Sequence, residues 1–374
     1  MRIAAVELRR LELELVTPLR TAGGTHRHRP LLLVRVETDD AEGWGECDAL
    51  AEPNYADEYA DGAEVALAEG LIPLLFGDGR TAALGSTAEA LLRLDVVPGN
   101  SMAKSAVEMA LTDAELRSAG RSLAATLGVT RWAIPAGATV GLGATSSVVA
   151  AARAAVADGY RRVKLKIAPG RDVEPLAAVR RELPDVALVA DANGSYDLSN
   201  RDHRAALAAI DALGLAGIEQ PLPPRDLAGA ARLVAESATP VILDESIDSL
   251  AALEAALAAR ACAGVSVKLA RLGGIRAGVR VHDRCVTAGV HLAVGGMLEA
   301  GIGRAAATAL GALGGFDLPG DLGASGRYFR PDITAPVELV AGELPVPTGP
   351  GLGVEVDAEA VAAATARKRV FHPS

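Results

Sequence analysis

The sequence predicts an α/β protein of 374 residues, a (β/α) barrel preceded by a smaller α+β domain. Three observations carry this. First, short apolar runs each end in a charged residue: Val163-Lys164-Leu165-Lys166, Leu188-Val189-Ala190-Asp191, Ala216-Gly217-Ile218-Glu219, Val241-Ile242-Leu243-Asp244 and Val265-Ser266-Val267-Lys268. Second, their last residues stand 25, 28, 25 and 24 positions apart, the length of one strand plus one helix. Third, the runs are almost uniformly apolar, as strands are when helices cover a parallel sheet. Charged residues on so many consecutive strands converge only if that sheet closes.

Taken in order, Ile3, Val6, Leu8, Leu11, Leu13 and Leu15 recur as in a strand and Leu31 to Val36 forms a second, so the chain opens as an antiparallel meander. Between them Thr17 to Pro30, which includes Arg20, is a Gly- and Arg-rich loop. It reads either as a mobile lid whose cations meet an anionic substrate or as an exposed hairpin turn. Gly43 to Cys47 ends a third strand, and a second loop runs through Pro53, Asn54 and Tyr55. Helices are expected over about Ala56 to Leu75, Thr87 to Leu94 and Asn100 to Ala119, the last with Met102, Ala106, Met109, Ala110 and Ala114 on a core-facing stripe. Strands followed by helices make residues 1–125 an α+β domain. From Ile134 strand and helix alternate: a strand from Ala133 to Leu142, a helix from Ser146 to Ala157, and then the five runs above. Helices such as Val173 to Glu182 and Ser249 to Ala259 separate them, and Val290 to Val294 is a further strand, giving a barrel domain over 126–322. The Pro- and Gly-rich remainder, 323–374, is expected to leave the barrel and pack back on the first domain.

A net charge of −10 without blocks of like charge argues against nucleic-acid and membrane-surface partners. The short tail Arg367-Lys368-Arg369 is expected to be solvated. No apolar run approaches the roughly 18 residues of a membrane span, and Met1 to Val16 lacks the pattern of a signal peptide. Cys47, Cys262 and Cys285 read as reduced thiols of a cytoplasmic protein. A small-molecule carboxylate substrate and a homo-oligomeric state are expected. Only five of the 37 basic residues are lysines, and Lys164, Lys166 and Lys268 stand in the apolar runs. Arg cannot act as a base near neutral pH, so Lys at these positions is informative.

Barrel active sites lie at the carboxyl ends of the strands, so Lys166, Asp191, Glu219, Asp244 and Lys268 share one mouth. Three carboxylates on consecutive strands repel one another unless a cation lies between them. All-oxygen ligands point to Mg²⁺, with Mn²⁺ as the alternative. The competing reading pairs the acids with neighbouring lysines, but three acids face only two or three of them. Lysines on either side of such a cation suggest proton transfer next to a substrate carboxylate, through an enediolate. Nearby positive charge is expected to lower the lysine pKa toward the working range. Lys164 is expected to contribute from the opposite face of its strand, a few Å away. Gly301-x-Gly303-x-x-Ala306 opens a helix after a strand, as a dinucleotide fingerprint does. It stands, however, on a late strand of a barrel whose other ends already converge on a metal.

Lys164-Leu165-Lys166, Asp191-Ala-Asn193, Glu219-Gln220-Pro221-Leu222, Asp244-Glu245-Ser246 and Lys268 with Gly273-Gly274 resemble the muconate-lactonizing subgroup of the enolase superfamily. Gly295-Gly296-Met297-Leu298-Glu299, Gly301-Ile302-Gly303-Arg304, Leu318-Pro319-Gly320-Asp321 and the run from Pro345 to Gly353 sharpen this. They resemble o-succinylbenzoate synthases of the type that also shows N-succinylamino acid racemase activity. The resemblance spans essentially the whole chain. It implies a (β/α)7β modified TIM barrel with an α+β capping domain formed by both ends of the chain. It further implies Lys166 as general base, Asp191, Glu219 and Asp244 as Mg²⁺ ligands, and Lys268 on the opposite face of the substrate. Lys164, Asn193, Gly295, Gly296, Met297 and Arg20 are then the substrate-binding candidates. The implied reaction is a syn-dehydration in menaquinone synthesis, with racemisation by the same two lysines as the alternative, and epimerases and cycloisomerases as more distant ones. Ser266, Leu269 and Ala270 stand where the family usually has Asn, Pro and Gly, and Val294 and Ala300 replace the usual Cys and Thr. The loop around residue 20 lacks its usual aromatic. These departures bear on substrate choice more than on the metal site.

Overall fold

The computed structural model describes residues 2–76 and 86–373. The chain begins with strands β1 (Ile3–Thr21), β2 (Gly24–Thr38) and β3 (Glu42–Cys47), which pair antiparallel. Period-two alternation turns Val6 and Leu8 into one core and Leu11, Leu13 and Leu15, on the other face, into a second. The stretch 17–30 differs from the expected loop. Apart from a break between Glu14 and Leu19, β1 and β2 continue as paired arms, with Leu19 opposite His26 and Thr21 opposite Gly24. Pairing satisfies the backbone groups of this segment, which an open loop would leave to solvent. The last strand of the chain, Thr365–Phe371, pairs antiparallel with β1, placing Phe371 beside Val6.

Helix Ser101–Ser118 lies across this sheet because Gly43 and Gly45 admit it. A Cβ on either would come within 2.2 Å of Ala110 O or 1.9 Å of Ala106 O. The helix expected from Ala56 begins instead at Ala60, after extended Tyr59, and passes through a π-helical segment, Ala66–Leu71. Helix Thr87–Leu94 starts at Ser86, whose side chain accepts from the Glu89 N–H.

The single strand expected from Ala133 to Leu142 is two: β4 (Ala133–Pro135) and β5 (Gly137–Val140). Ala136 bonds elsewhere, its N–H donating to Gly342 O. The barrel strands then follow as β6 (Arg162–Lys166), β7 (Ala187–Asp191), β8 (Gly217–Glu219), β9 (Val241–Leu243), β10 (Gly264–Val267) and β11 (His291–Val294). Strands β5 to β11 form one parallel sheet in sequential order. The gap between β11 and β5 is bridged by segment 318–322. Leu318 and Asp321 donate to Leu292 O and Val294 O, and Gly137 N donates to Leu322 O. This stave, irregular because it contains Pro319 and Gly320, takes the eighth position, so the architecture is α/β with a (β/α)7β barrel. Strand β12 (Glu343–Pro345) pairs with β4 outside the barrel. No helix among the described residues is long and apolar enough to cross a membrane.

Candidate active site

Strand register stacks the charged residues. Lys166 pairs with Asp191 and Asp191 with Glu219 across β6, β7 and β8. Asp244 follows the end of β9, and Lys268 follows β10 as the extended residue before the short helix Leu269–Leu272. Asp191, Glu219 and Asp244 are almost completely buried. The lysines stand over them: Lys166 Nζ lies 2.7 Å from Asp191 Oδ2, and Lys164 Nζ lies 2.9 Å from the same oxygen and 2.8 Å from Glu219 Oε1. Lys268 Nζ lies 2.6 Å from Asp244 Oδ2. Lys164 therefore projects from the same face of β6 as Lys166, not the opposite one. Residues two apart on a strand share a face.

The lysines also differ electrostatically from expectation. Burial alone would lower Lys164 and Lys268, but facing carboxylates outweigh it and push both up. Asp191, Asp321 and Glu219 act on Lys164, and Asp244 acts on Lys268. Asp191 is likewise held well below the usual carboxylate range, because Lys164 and Lys166 overcome its burial. Glu219 goes the other way, pushed up to about 8 by burial against Lys164, with the repulsion of Asp191, Asp321 and Asp244 adding to it.

Among the described residues no three acids stand in a metal-ligating arrangement, and the lysine ammonium groups sit against the acids. The donor set nevertheless suits a hard divalent cation. Its members are adjacent, buried and all oxygen, and burial raises Glu219 even with Lys164 Nζ 2.8 Å away.

A cavity of about 550 Å³ opens onto this group, lined by Lys164, Lys166, Asn193, Lys268, Gly296 and Met297 among others. Both ends of the chain match known families. Residues 5–128 match the mandelate racemase/muconate lactonizing enzyme N-terminal domain, and residues 147–361 match the enolase C-terminal domain-like family. The chain belongs to the enolase superfamily. It is 46% identical to an N-succinylamino acid racemase of Amycolatopsis, covering 94% of each chain. It is 40% identical to an o-succinylbenzoate synthase of Geobacillus kaustophilus over 99% of this chain and 98% of the other. An enolase-superfamily crystal structure from Listeria innocua superposes with a TM-score of 0.93 at 34% identity, covering both chains completely.

In this enolase-superfamily site the loops after the strands set the lysines. Asn193, in the left-handed region at φ 43°, accepts from Lys166 Nζ through Oδ1 at 2.9 Å and donates through Nδ2 to Glu245 Oε1 at 2.7 Å. Gln220 accepts from the Asp244 N–H at 3.0 Å, tying β8 to the residue after β9. Gly295 does not line the cavity; it stands against Lys268, where a Cβ would come within 2.7 Å of Cγ. The Met297–Glu299 turn is clasped from the capping domain by the buried Arg29, which donates to Asp48 O, Ala49 O, Met297 O and Leu298 O at 2.6 to 3.3 Å. Arg20 is exposed and not part of the cavity wall, although Leu19 and Thr21 are. Alternation along the paired hairpin separates them.

Three site residues carried no role in the sequence reading. Tyr55, half-buried, accepts from Lys268 Nζ at 2.7 Å, and its hydroxyl lies 3.0 Å from Asp244 Oδ1. Asp321, on the closing stave, pairs with Lys164 and Arg162. Arg271 donates to Glu245 O at 2.8 Å and lies over the Tyr55 ring. The signals were the Leu318-Pro319-Gly320-Asp321 motif, the loop through Tyr55, and an arginine one helical turn past Lys268.

Proposed function

We propose that the protein is an o-succinylbenzoate synthase, which dehydrates 2-succinyl-6-hydroxy-2,4-cyclohexadiene-1-carboxylate in menaquinone biosynthesis. The observation that carries the chemistry is a pair of lysines, on β6 and just after β10, that line one cavity from either side of three acid-bearing strands. Asp191, Glu219 and Asp244 would hold Mg²⁺, or Mn²⁺ in its place, and the bound ion would supply positive charge that acidifies the carbon next to the substrate carboxylate. Lys166 removes the proton from that carbon, and Asp191 and Asn193 hold the resulting ammonium in place. Lys268, on the other face, stabilises the negative charge that spreads into the carboxylate. Lys166 then gives its proton to the departing hydroxyl, so the C–H and C–O bonds break on one face and water leaves.

A second reading is favoured by the 46% identity to the Amycolatopsis racemase. For an N-succinylamino acid, one lysine removes the α-proton and the other delivers a proton from the opposite face. Parallel assays of the purified protein with Mg²⁺ separate the two. Formation of o-succinylbenzoate supports the synthase. Racemisation of N-succinylamino acids without it overturns the first reading in favour of the second. α-Deuterium exchange that is undiminished for both enantiomers in Lys166→Ala overturns both.

A further inference from the structure

Two arginines face the cavity with no acid to meet them. Arg327 and Arg330 lie on the segment that follows the closing stave and line the same cavity as Lys166 and Lys268. Arg327 lies 5.1 Å from the Tyr160 ring centroid and donates a long hydrogen bond, 3.4 Å, to Thr139 O. Arg330 uses Nε on Gly326 O at 3.0 Å, which leaves its two terminal nitrogens without a partner among the described residues. Neither guanidinium forms an ion pair with a described carboxylate, in a chain of net charge −10. Asp158 lines the same cavity and pairs with neither. The remaining cation-capable residue of the wall outside the lysines is His26, whose charged form is disfavoured by burial and by Arg29 and Lys166. Fixed positive charge beyond the lysines is thus concentrated at one end of the cavity.

That end adjoins the strand that carries the lysines. Thr139 on β5 is the register partner of Lys164 on β6, and neighbouring strands lie about 5 Å apart. A four-carbon acyl arm bridges such a separation. Paired guanidinium groups suit carboxylate through charge-assisted, bidentate hydrogen bonds.

We infer that Arg327 and Arg330 form an anion-accepting end of the cavity that holds the second carboxylate of a dicarboxylate substrate, such as the terminal carboxylate of a succinyl arm. The inference rests on the proposed proton transfer only for where the reacting end of the substrate lies. Both readings of the function share this recognition, because both substrates carry the arm.

The test uses the full chain with Mg²⁺ and two ligands, N-succinylphenylalanine and its uncharged analogue with the terminal carboxylate replaced by a primary amide. Calorimetry measures binding and deuterium uptake from D₂O measures proton transfer. The unmodified protein binds the succinyl compound more tightly. Arg330→Met, on an exposed side chain that leaves the fold intact, and the double variant Arg327→Met/Arg330→Met weaken succinyl binding by at least about tenfold in the double variant and leave amide binding unchanged. Arg327→Lys retains most of the preference. Equal losses on both ligands, or no loss on either, overturn the inference. Deuterium uptake reports separately: a charge preference that tracks the arginines without any uptake sustains the anion site and overturns the proton-transfer reading.

Discussion

Replacing Gly295 by Ala perturbs Lys268 without touching a charged group. Gly295 is not in the left-handed region, so alanine meets no backbone strain there and the effect comes from the added methyl. That Cβ would lie 2.5 Å from Ser266 Oγ, 2.7 Å from Lys268 Cγ and 2.8 Å from Lys268 Cε. Carbon atoms prefer about 3.5 to 4.0 Å, so the lysine stem must retreat by roughly 1 Å. A lysine stem moves more readily than backbone, so the fold accepts the change at an overpacking cost of about 1 to 3 kcal/mol. Displacing a reacting group by about 1 Å costs about 10²-fold in rate. The expected outcome is a loss of about a hundredfold in kcat, with KM changed only a few-fold and a folded protein by circular dichroism. Steady-state turnover and single-turnover deuterium exchange provide the measurement. Unchanged kcat in Gly295→Ala would refute the placement of Lys268 as a group acting on substrate.

Tyr55→Phe removes the hydroxyl that accepts from Lys268 while leaving the ring, whose centroid lies 4.9 Å from Nζ. Exchange should slow by about 10- to 100-fold on the Lys268 face, which comparing the two enantiomers of an N-succinylamino acid reads directly; equal slowing of both would count against it. Treatment with EDTA should abolish α-deuterium exchange and Mg²⁺ should restore it; exchange that persists in the metal-free protein would remove the divalent cation from the mechanism. Glu108, buried where it accepts from the Arg276 N–H at 3.1 Å, is pushed up to about 7 by burial against that hydrogen bond and the Arg276 charge. The folded protein then binds the Glu108 proton more tightly than the unfolded chain does, so stability falls as pH rises from about 4.5 to about 7 and is flat above. Urea titrations across that range should show Glu108→Gln gaining up to about 3 kcal/mol over the unmodified chain, and a constant difference would contradict the assignment.

The sequence made the barrel legible because its strands are short and uniformly apolar and each ends at a residue that solvent or a ligand must meet. Lys166, Asp191, Glu219, Asp244 and Lys268 therefore announce themselves by spacing. The antiparallel hairpin was less readable: residues 17–30 contain Gly, Arg and Pro, which read as loop, yet Leu19–Thr21 pair with Gly24–His26 and His28–Pro30 pair with Glu12–Glu14. Local propensity was overridden by cross-strand pairing, which depends on a partner rather than on the residues themselves. The exclusion of Arg20 from the cavity follows from the same pairing, since its orientation is set by hairpin register.

Residues whose roles come from long-range geometry left no periodic trace. Tyr55 meets Lys268 across 213 positions and Asp321 meets Lys164 across 157. Both act on charge. The sequence points to positive charge, from a cation and from Lys164 beside Lys166, as what lowers the base; in the structure Lys164 and Lys268 each face carboxylates at hydrogen-bonding distance. An opposite charge at about 3 Å outweighs a more distant like charge. The acids and lysines pair with one another. A divalent ion among the acids would draw on the same carboxylate oxygens that now hold the ammonium groups, loosening the lysines that must transfer protons. Metal binding and lysine basicity would thus be coupled through shared oxygen atoms, a physical route by which such a site would bring a lysine toward neutrality.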